Sequence, residues 1–228
     1  MKLLAIETAT EACSAALLLA DEVIERYQLA PRQHNELILP MCATLLAEAE
    51  INLTQLDAIA FGCGPGAFTG VRIAAGITQG IALAHDLPVA SVSTLANLAY
   101  QAPIAAQQLV LPSIDARMQE VYWAVYKKHV AAMPELLLPE RVQAPAAMAV
   151  LGHAIDYGLG TGWGTYQQSF QNVVQLDHQK IEGDALPRAQ FTAILGQYKY
   201  QAEDLLAPEN ALPVYLRDQV AHKKQTTI

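Results

Sequence analysis

The chain has 228 residues, 53% of them hydrophobic, with 14 Lys and Arg against 22 Asp and Glu and a net charge of −8. That length and apolar content suit one large domain or two small lobes around a packed core. The acidic balance, with no basic run longer than Lys223-Lys224, makes the chain a poor binder of nucleic-acid phosphate by itself, because that task needs clustered cations.

Residues 3–8 form an apolar run that reads as a central strand, and 12–20 read as a second. Asp21-Glu22 makes a tight turn into a third strand over 23–29. A helical pattern runs from about Asn35 to Glu50, with Leu37, Met41, Leu45 and Ala49 on one face, and Pro40 marks a kink or a first turn in it. Thr54 with Asp57 caps a short turn. A strand over 57–62 leads into a glycine-rich loop, and a helix leads out from Val71 to about His85. Pro88 opens a short strand, and Ser93 caps a helix running to Tyr100. The pattern then partly restarts, with strands over 109–116 and 120–127. A helix at Ala144–Leu151, a Gly-rich stretch at Gly158–Gly164, a helix at about Pro187–Tyr200 and a polar tail from His222 follow. Both halves open with a strand hairpin, and Asp115 stands in the second where Glu7 stands in the first. The expected organisation is two related α/β lobes, 1–104 and 105–228, joined near 101–108.

No window of about 18 unbroken apolar residues occurs, so no transmembrane helix is expected. The N-terminus reads as a strand and lacks the pattern of a signal peptide. Three cysteines, Cys13, Cys42 and Cys63, without a Cys-x-x-Cys, suit a reducing cytoplasm.

The loop Gly62-Cys63-Gly64-Pro65-Gly66-Ala67-Phe68-Thr69-Gly70-Val71-Arg72 concentrates the signal. Such a strand-to-helix turn aims backbone N–H groups at one point, where an anion or a neighbouring backbone docks. It is neither a Walker A loop nor G-x-G-x-x-G, and a purely structural turn is the plainer reading.

Four segments carry a family resemblance: Leu3 to Ser14, this glycine block, Ser113-Ile114-Asp115-Ala116-Arg117-Met118-Gln119-Glu120-Val121-Tyr122, and Pro213-Val214-Tyr215-Leu216-Arg217. In this order and at this length they resemble the bacterial TsaB (YeaZ) family, which takes part in making threonylcarbamoyladenosine on tRNA. The resemblance spans nearly the whole chain and is weakest from about Val130 to Lys199. It implies an α/β fold of two related lobes of the actin/hexokinase/Hsp70-like, ribonuclease H-like type. In that fold a nucleotide lies between the lobes, and the first hairpin supplies Asp-x-Gly-Thr. Here the matching stretch is Ile6-Glu7-Thr8-Ala9-Thr10, without the glycine. Candidate cofactor-binding residues are therefore Glu7, Thr8, Thr10 and Asp115, an incomplete cradle. Gly158-Leu159-Gly160-Thr161-Gly162 is a loose echo of an adenosine-binding loop.

The catalytic relative, the TsaD type, carries a metal-binding His-x-x-x-His pair on the helix after the glycine loop. The corresponding Val92 to Ala99 holds no histidine, cysteine or acid, and the six histidines of the chain show no i, i+4 pair. No catalytic residue, metal ligand or tightly bound cofactor is expected. ATP and metal belong to the assembled complex. The resemblance implies a non-catalytic activating subunit that pairs with a TsaD-type catalytic subunit, is joined by a TsaE-type ATPase, and meets tRNA only through the complex. The pairing surface is expected at Leu37, Met41, Leu45, Ile73 and Ile77, where the apolar arcs of two helices exceed what one buried face needs. The same surface can form a homodimer when the partner is absent, and His34 is a further interface candidate. Arg72, Arg117 and Arg217 lie in the family-like blocks, where ion-pair anchors between the lobes are the ordinary reading. The alternative is an independent enzyme. It would be ATP-dependent through Glu7, Thr8, Thr10 and Asp115, or a peptidase with Cys63 as nucleophile and His34 or His85 as base.

Overall fold

The computed structural model describes residues 1–148, 152, 154–174 and 176–217. Two five-stranded mixed sheets organise them. The first contains β1 (Lys2–Glu7), β2 (Ala12–Leu19), β3 (Glu22–Leu29), β4 (Ala58–Gly64) and β5 (Val89–Ser93), in the order β3-β2-β1-β4-β5. The second contains β6 (Leu109–Arg117), β7 (Glu120–Lys127), β8 (Glu135–Gln143), β9 (Tyr157–Leu159) and β10 (Ile181–Glu182), in the order β8-β7-β6-β9-β10. The two orders coincide strand for strand. A leading strand, β1 or β6, continues into an antiparallel three-stranded meander on one side and has two parallel strands on the other. Glu7 and Asp115 fall near the same ends of the two leading strands, so the repeat expected from sequence is a repeat of topology. This duplicated arrangement is the two-lobed actin/hexokinase/Hsp70-like fold.

The leading strands carry apolar residues on both faces, Leu3 to Ile6 in β1 and Leu109 to Leu111 in β6, because both faces are covered. On one face of the first sheet Leu4, Ile6, Ile59 and Phe61 pack under α1 (His34–Glu48) and α2 (Phe68–His85). On the other, Leu3, Ala5, Ala58 and Ala60 meet Ala189 and Ala193 of α5 (Ala189–Gln201). The two sets alternate along β1, as the pleat requires. Alanines on both sides let α5 lie close to the sheet, whereas the α1/α2 side buries Leu, Ile and Phe, each contributing about 1.5–3 kcal/mol. Between the sheets, α3 (Thr94–Gln101) packs Leu95 and Leu98 with Ile114, Tyr126 and Leu195. On the far side of the second sheet, α4 (Thr161–Gln171) contributes Trp163 and Phe170, whose rings stack 4.3 Å apart.

Ser93 caps α3 as expected, accepting from Leu95 N–H at 3.1 Å and Ala96 N–H at 3.2 Å. Its hydroxyl also donates to Glu140 of β8, which accepts the Tyr126 hydroxyl at 2.7 Å and so ties the lobes together. Other expectations need correction. The turn at 53–55 is capped by Asn52, with Gln55 returning to Asn52 N–H at 3.0 Å. Asp57 instead accepts from Lys2 N–H at 2.6 Å. Of the helix expected over Ala144–Leu151, the described part is a single 3-10 turn, Pro145–Ala147, and residues 149–151 lie outside the described residues, as does the tail from His222. β8 was not expected, because Pro139 interrupts its pattern. The strand tolerates Pro139 at the sheet edge, where the β7–β8 register shifts.

The division expected at 104/105 falls between the two sheets, but the chain returns. α5 packs on the first sheet, Leu206 bridges to Val89, and Val214 N–H donates to Cys63 O at 2.8 Å. The C-terminal part of the described chain therefore completes the first lobe. No helix among the described residues is long and apolar enough to cross a membrane.

Candidate functional site

The glycine loop folds onto the turn of the first hairpin. Ala67 N–H donates to Ala9 O at 2.7 Å, and the Thr8 hydroxyl donates to Gly70 O at 2.8 Å. A Cβ on Gly70 would stand 2.0 Å from Thr8 O. Of the two docking partners such a loop admits, a neighbouring backbone is the one present. Gly70→Ala is expected to destabilise the chain by about 3 kcal/mol or more, since the obstacle is main chain that cannot rotate away. Gly76→Ala, at an exposed α2 position with nothing within 4 Å, is expected to stabilise it by about 1 kcal/mol through helix propensity. Urea unfolding of the two isolated variants measures the contrast.

The four candidate cofactor residues do not converge, which corrects the expected cradle. Glu7 is 0% exposed; its carboxylate accepts Ala9 N–H at 2.8 Å and the Thr192 hydroxyl of α5 at 3.5 Å. Burial pushes its pKa up from 4.5 to about 7, against the smaller downward pull of these hydrogen bonds. Thr8 is likewise interior. Only Thr10 and Asp115 reach the inter-lobe cleft, a cavity of about 440 Å³ whose walls include Phe68, Met118, Tyr122 and Tyr215. The Thr10 hydroxyl is buried and has no partner among the described residues. Asp115 accepts from Arg117 N–H and from its guanidinium, both at 2.8 Å, and from the Tyr166 hydroxyl at 3.3 Å. Arg117 reaches on to Glu11 at 2.9 Å, joining the lobes, and Arg217 pairs with Glu120 at 2.5 Å. Two of the three motif arginines are thus ion-pair anchors. The two acids of the cleft, Asp115 and Glu11, are both engaged by Arg117, and Glu7 lies inside the core.

The Gly-rich stretch is not an open adenosine loop. It ends β9 and starts α4, and a Cβ on Gly162 would stand 2.1 Å from Ser113 Oγ of β6. The α3 side chains from Thr94 to Ala99 are all buried, and Asn97 donates to Arg188 O at 2.9 Å and the Thr192 hydroxyl at 2.8 Å. Among the described residues no three His, Cys, Asp or Glu side chains gather as a metal site would require. His34 is also buried, with Nε2 3.1 Å from Ala12 O, so the interface role considered for it does not hold. His153 and His222 lie outside the described residues.

The geometry disfavours a thiol nucleophile. Cys63 is buried, and desolvation pushes its thiol to about 12. At neutral pH the thiolate fraction is then on the order of 10⁻⁵. His34 is held by Ala12, and His85 ends α2, the helix that Phe68 begins, roughly 25 Å away along its axis.

The apolar face stands on the outer side of α1 and α2. Leu37, Met41, Ile73 and Ile77 each pack against the edge of the first lobe's core and stay partly open, while Leu39, on the other flank of α1, and Leu83 are more than half exposed. Leu45 is a correction. It is 0% exposed, because the inward stripe of α1 is Ile38, Cys42 and Leu45, and Leu37 and Met41 flank it. Sequence reasoning also missed a cluster at the start of α2, where Arg72 stacks on Phe68 and Tyr215. The motif positions were visible, but not the contact between them.

Known proteins agree with this architecture. The family model for TsaD, tRNA N6-adenosine threonylcarbamoyltransferase, matches residues 19–225. The tRNA threonylcarbamoyladenosine biosynthesis protein TsaB of Haemophilus influenzae is 39% identical over 98% of this chain and 97% of its own length. The Escherichia coli protein of the same name is 39% identical over 98% of each chain. YeaZ from Pseudomonas aeruginosa superposes with a TM-score of 0.85 at 42% identity, covering 94% of this chain and 99% of that one. Similarity at 39–42% identity over nearly the whole length places the chain in the TsaB (YeaZ) family of tRNA threonylcarbamoyladenosine biosynthesis proteins, to which it belongs.

Proposed function

We propose that this chain is the non-catalytic, activating subunit of the assembly that forms N6-threonylcarbamoyladenosine at position 37 of tRNA. It pairs with a TsaD-type catalytic subunit through the outer faces of α1 and α2. The observation that carries this reading is the apolar set of Leu37, Met41, Ile73 and Ile77 on two neighbouring helices, all only partly buried, in a chain whose candidate acids Glu7 and Asp115 are respectively buried and ion-paired. A TsaE-type ATPase joins the pair, and ATP and metal are held by the assembly. With a net charge of −8, this chain leaves the tRNA phosphates to its partners. When the catalytic subunit is absent, the same face pairs two copies of the chain. The three free, buried cysteines fit a cytoplasmic location.

Reconstitution with Asp115→Asn and Thr10→Val variants tests the non-catalytic part. Both are expected to pair and to support modification within about twofold of the parent, since neither group does chemistry. A loss of tenfold or more with normal pairing would give the cleft a chemical role and bring forward the independent-enzyme alternative.

A further inference from the structure

Arg72 differs from the other two motif arginines. Among the described residues no carboxylate lies within ion-pair reach of it. Its guanidinium carbon stands 3.2 Å from the centre of the Phe68 ring and 4.7 Å from that of Tyr215. One N–H donates to Phe68 O at 2.8 Å. The rings are themselves open to water, Phe68 62% and Tyr215 47% exposed. A cation near the N-terminal end of a helix gains nothing from the helix dipole, so what holds the charge locally is the ring stacking and the Phe68 carbonyl, with no counter-charge. The stack lies in the groove that Asn35, Ile73 and Ile77 also line, continuous with the apolar face.

The chemistry of this arrangement is specific. Aromatic rings pack against the guanidinium, which leaves its edge as the free surface. That edge is a planar fork of N–H donors matched to a carboxylate. Packing between the rings restricts the side chain, so little entropy is lost when the fork is used. Arg and aromatic residues beside an apolar patch are the composition of an interface hot spot. An RNA phosphate is the other anion to consider. Its backbone needs a track of free cations, and the nearby Arg117 and Arg217 are neutralised by Asp115, Glu11 and Glu120.

We propose that Arg72 is the polar anchor of the α1/α2 face and takes a side-chain carboxylate of the catalytic partner, fixing the register in which Ile73 and Ile77 pack. This inference rests on the pairing proposed above. Calorimetry between the purified chain and the TsaD-type subunit tests it. Arg72→Gln is expected to weaken pairing by about 30-fold, and Arg72→Lys by a similar factor because the fork is lost, with the chain still folded and its unfolding midpoint only slightly lowered by loss of the exposed ring stacking. Pairing lost in Arg72→Glu should return with one Asp or Glu→Arg change in the partner. Three results would overturn it. If Arg72→Gln pairs like the parent while Ile77→Asp does not, the anchor fails and the face stands. If Arg72→Gln leaves pairing intact but weakens tRNA binding by the assembly, the anion is a phosphate. If the parent itself does not pair, both inferences fall.

Discussion

Ile77→Asp is expected to abolish pairing with a TsaD-type subunit while leaving the isolated chain folded. Ile77 is only partly buried, on the outer side of α2 in the groove beside Arg72 and Ile73. In the free chain the new carboxylate reaches water at little cost. In the pair it would be buried without a partner, a loss of about 3–5 kcal/mol, or roughly 10²–10⁴-fold in Kd. Met41→Asp should act alike from α1. Leu45→Asp is the control of opposite kind, since a charge at a fully buried position should unfold the chain before pairing is tested. Calorimetric titration with circular dichroism of each variant separates these cases. A folded Ile77→Asp chain that pairs like the parent would remove α2 from the interface.

The second large effect is a pH dependence of stability set by Glu7. Its pKa is raised from 4.5 to about 7 by burial. Below pH 4.5 the group is protonated in both states and costs nothing. Between 4.5 and 7 the unfolded chain releases the proton first, while the folded chain retains it. Stability therefore falls with rising pH across this window and levels off above it. The full contribution is about 3 kcal/mol. Glu7→Gln can still accept Ala9 N–H and carries no charge, so it should flatten this part of the profile and be more stable than the parent at pH 8. Urea midpoints of both proteins from pH 4 to pH 8 measure the difference. Parallel curves would show that Glu7 stays ionised inside the lobe, held by interactions stronger than those to Ala9 and Thr192.

The first lobe was largely legible in the sequence because its signals are local. β1 and β4 are unbroken apolar runs, α1 and α2 begin and end within a few residues of their patterns, and Ser93 is an ordinary cap. What escaped depends on distant contacts. Pro139 hid an edge strand, and the glycines and glutamines of α4 hid a helix held by Trp163 and Phe170. Nothing local to α5 says which sheet it covers; its small residues, including Gly196 against Ala60, fit the first. That one placement decides Glu7. Alternation along β1 puts Glu7 on the Leu3 and Ala5 side, beneath α5 and against Thr192, rather than in the cleft. The proposed partner face rests on an excess of apolar arc in the sequence, and the inward stripe of α1 took Leu45 out of it into the core. The role of Arg72 depends on Tyr215, which only the fold brings to it.

Mass spectrometry of tRNA nucleosides from cells depleted of this protein and complemented in turn with the parent, Asp115→Asn or Ile77→Asp tests the central claim most directly. The expected result is loss of threonylcarbamoyladenosine on depletion, recovery with the parent and with Asp115→Asn, and no recovery with Ile77→Asp. Unchanged modification after confirmed depletion, or full recovery with Ile77→Asp, would contradict an activating subunit that acts through its α1/α2 face.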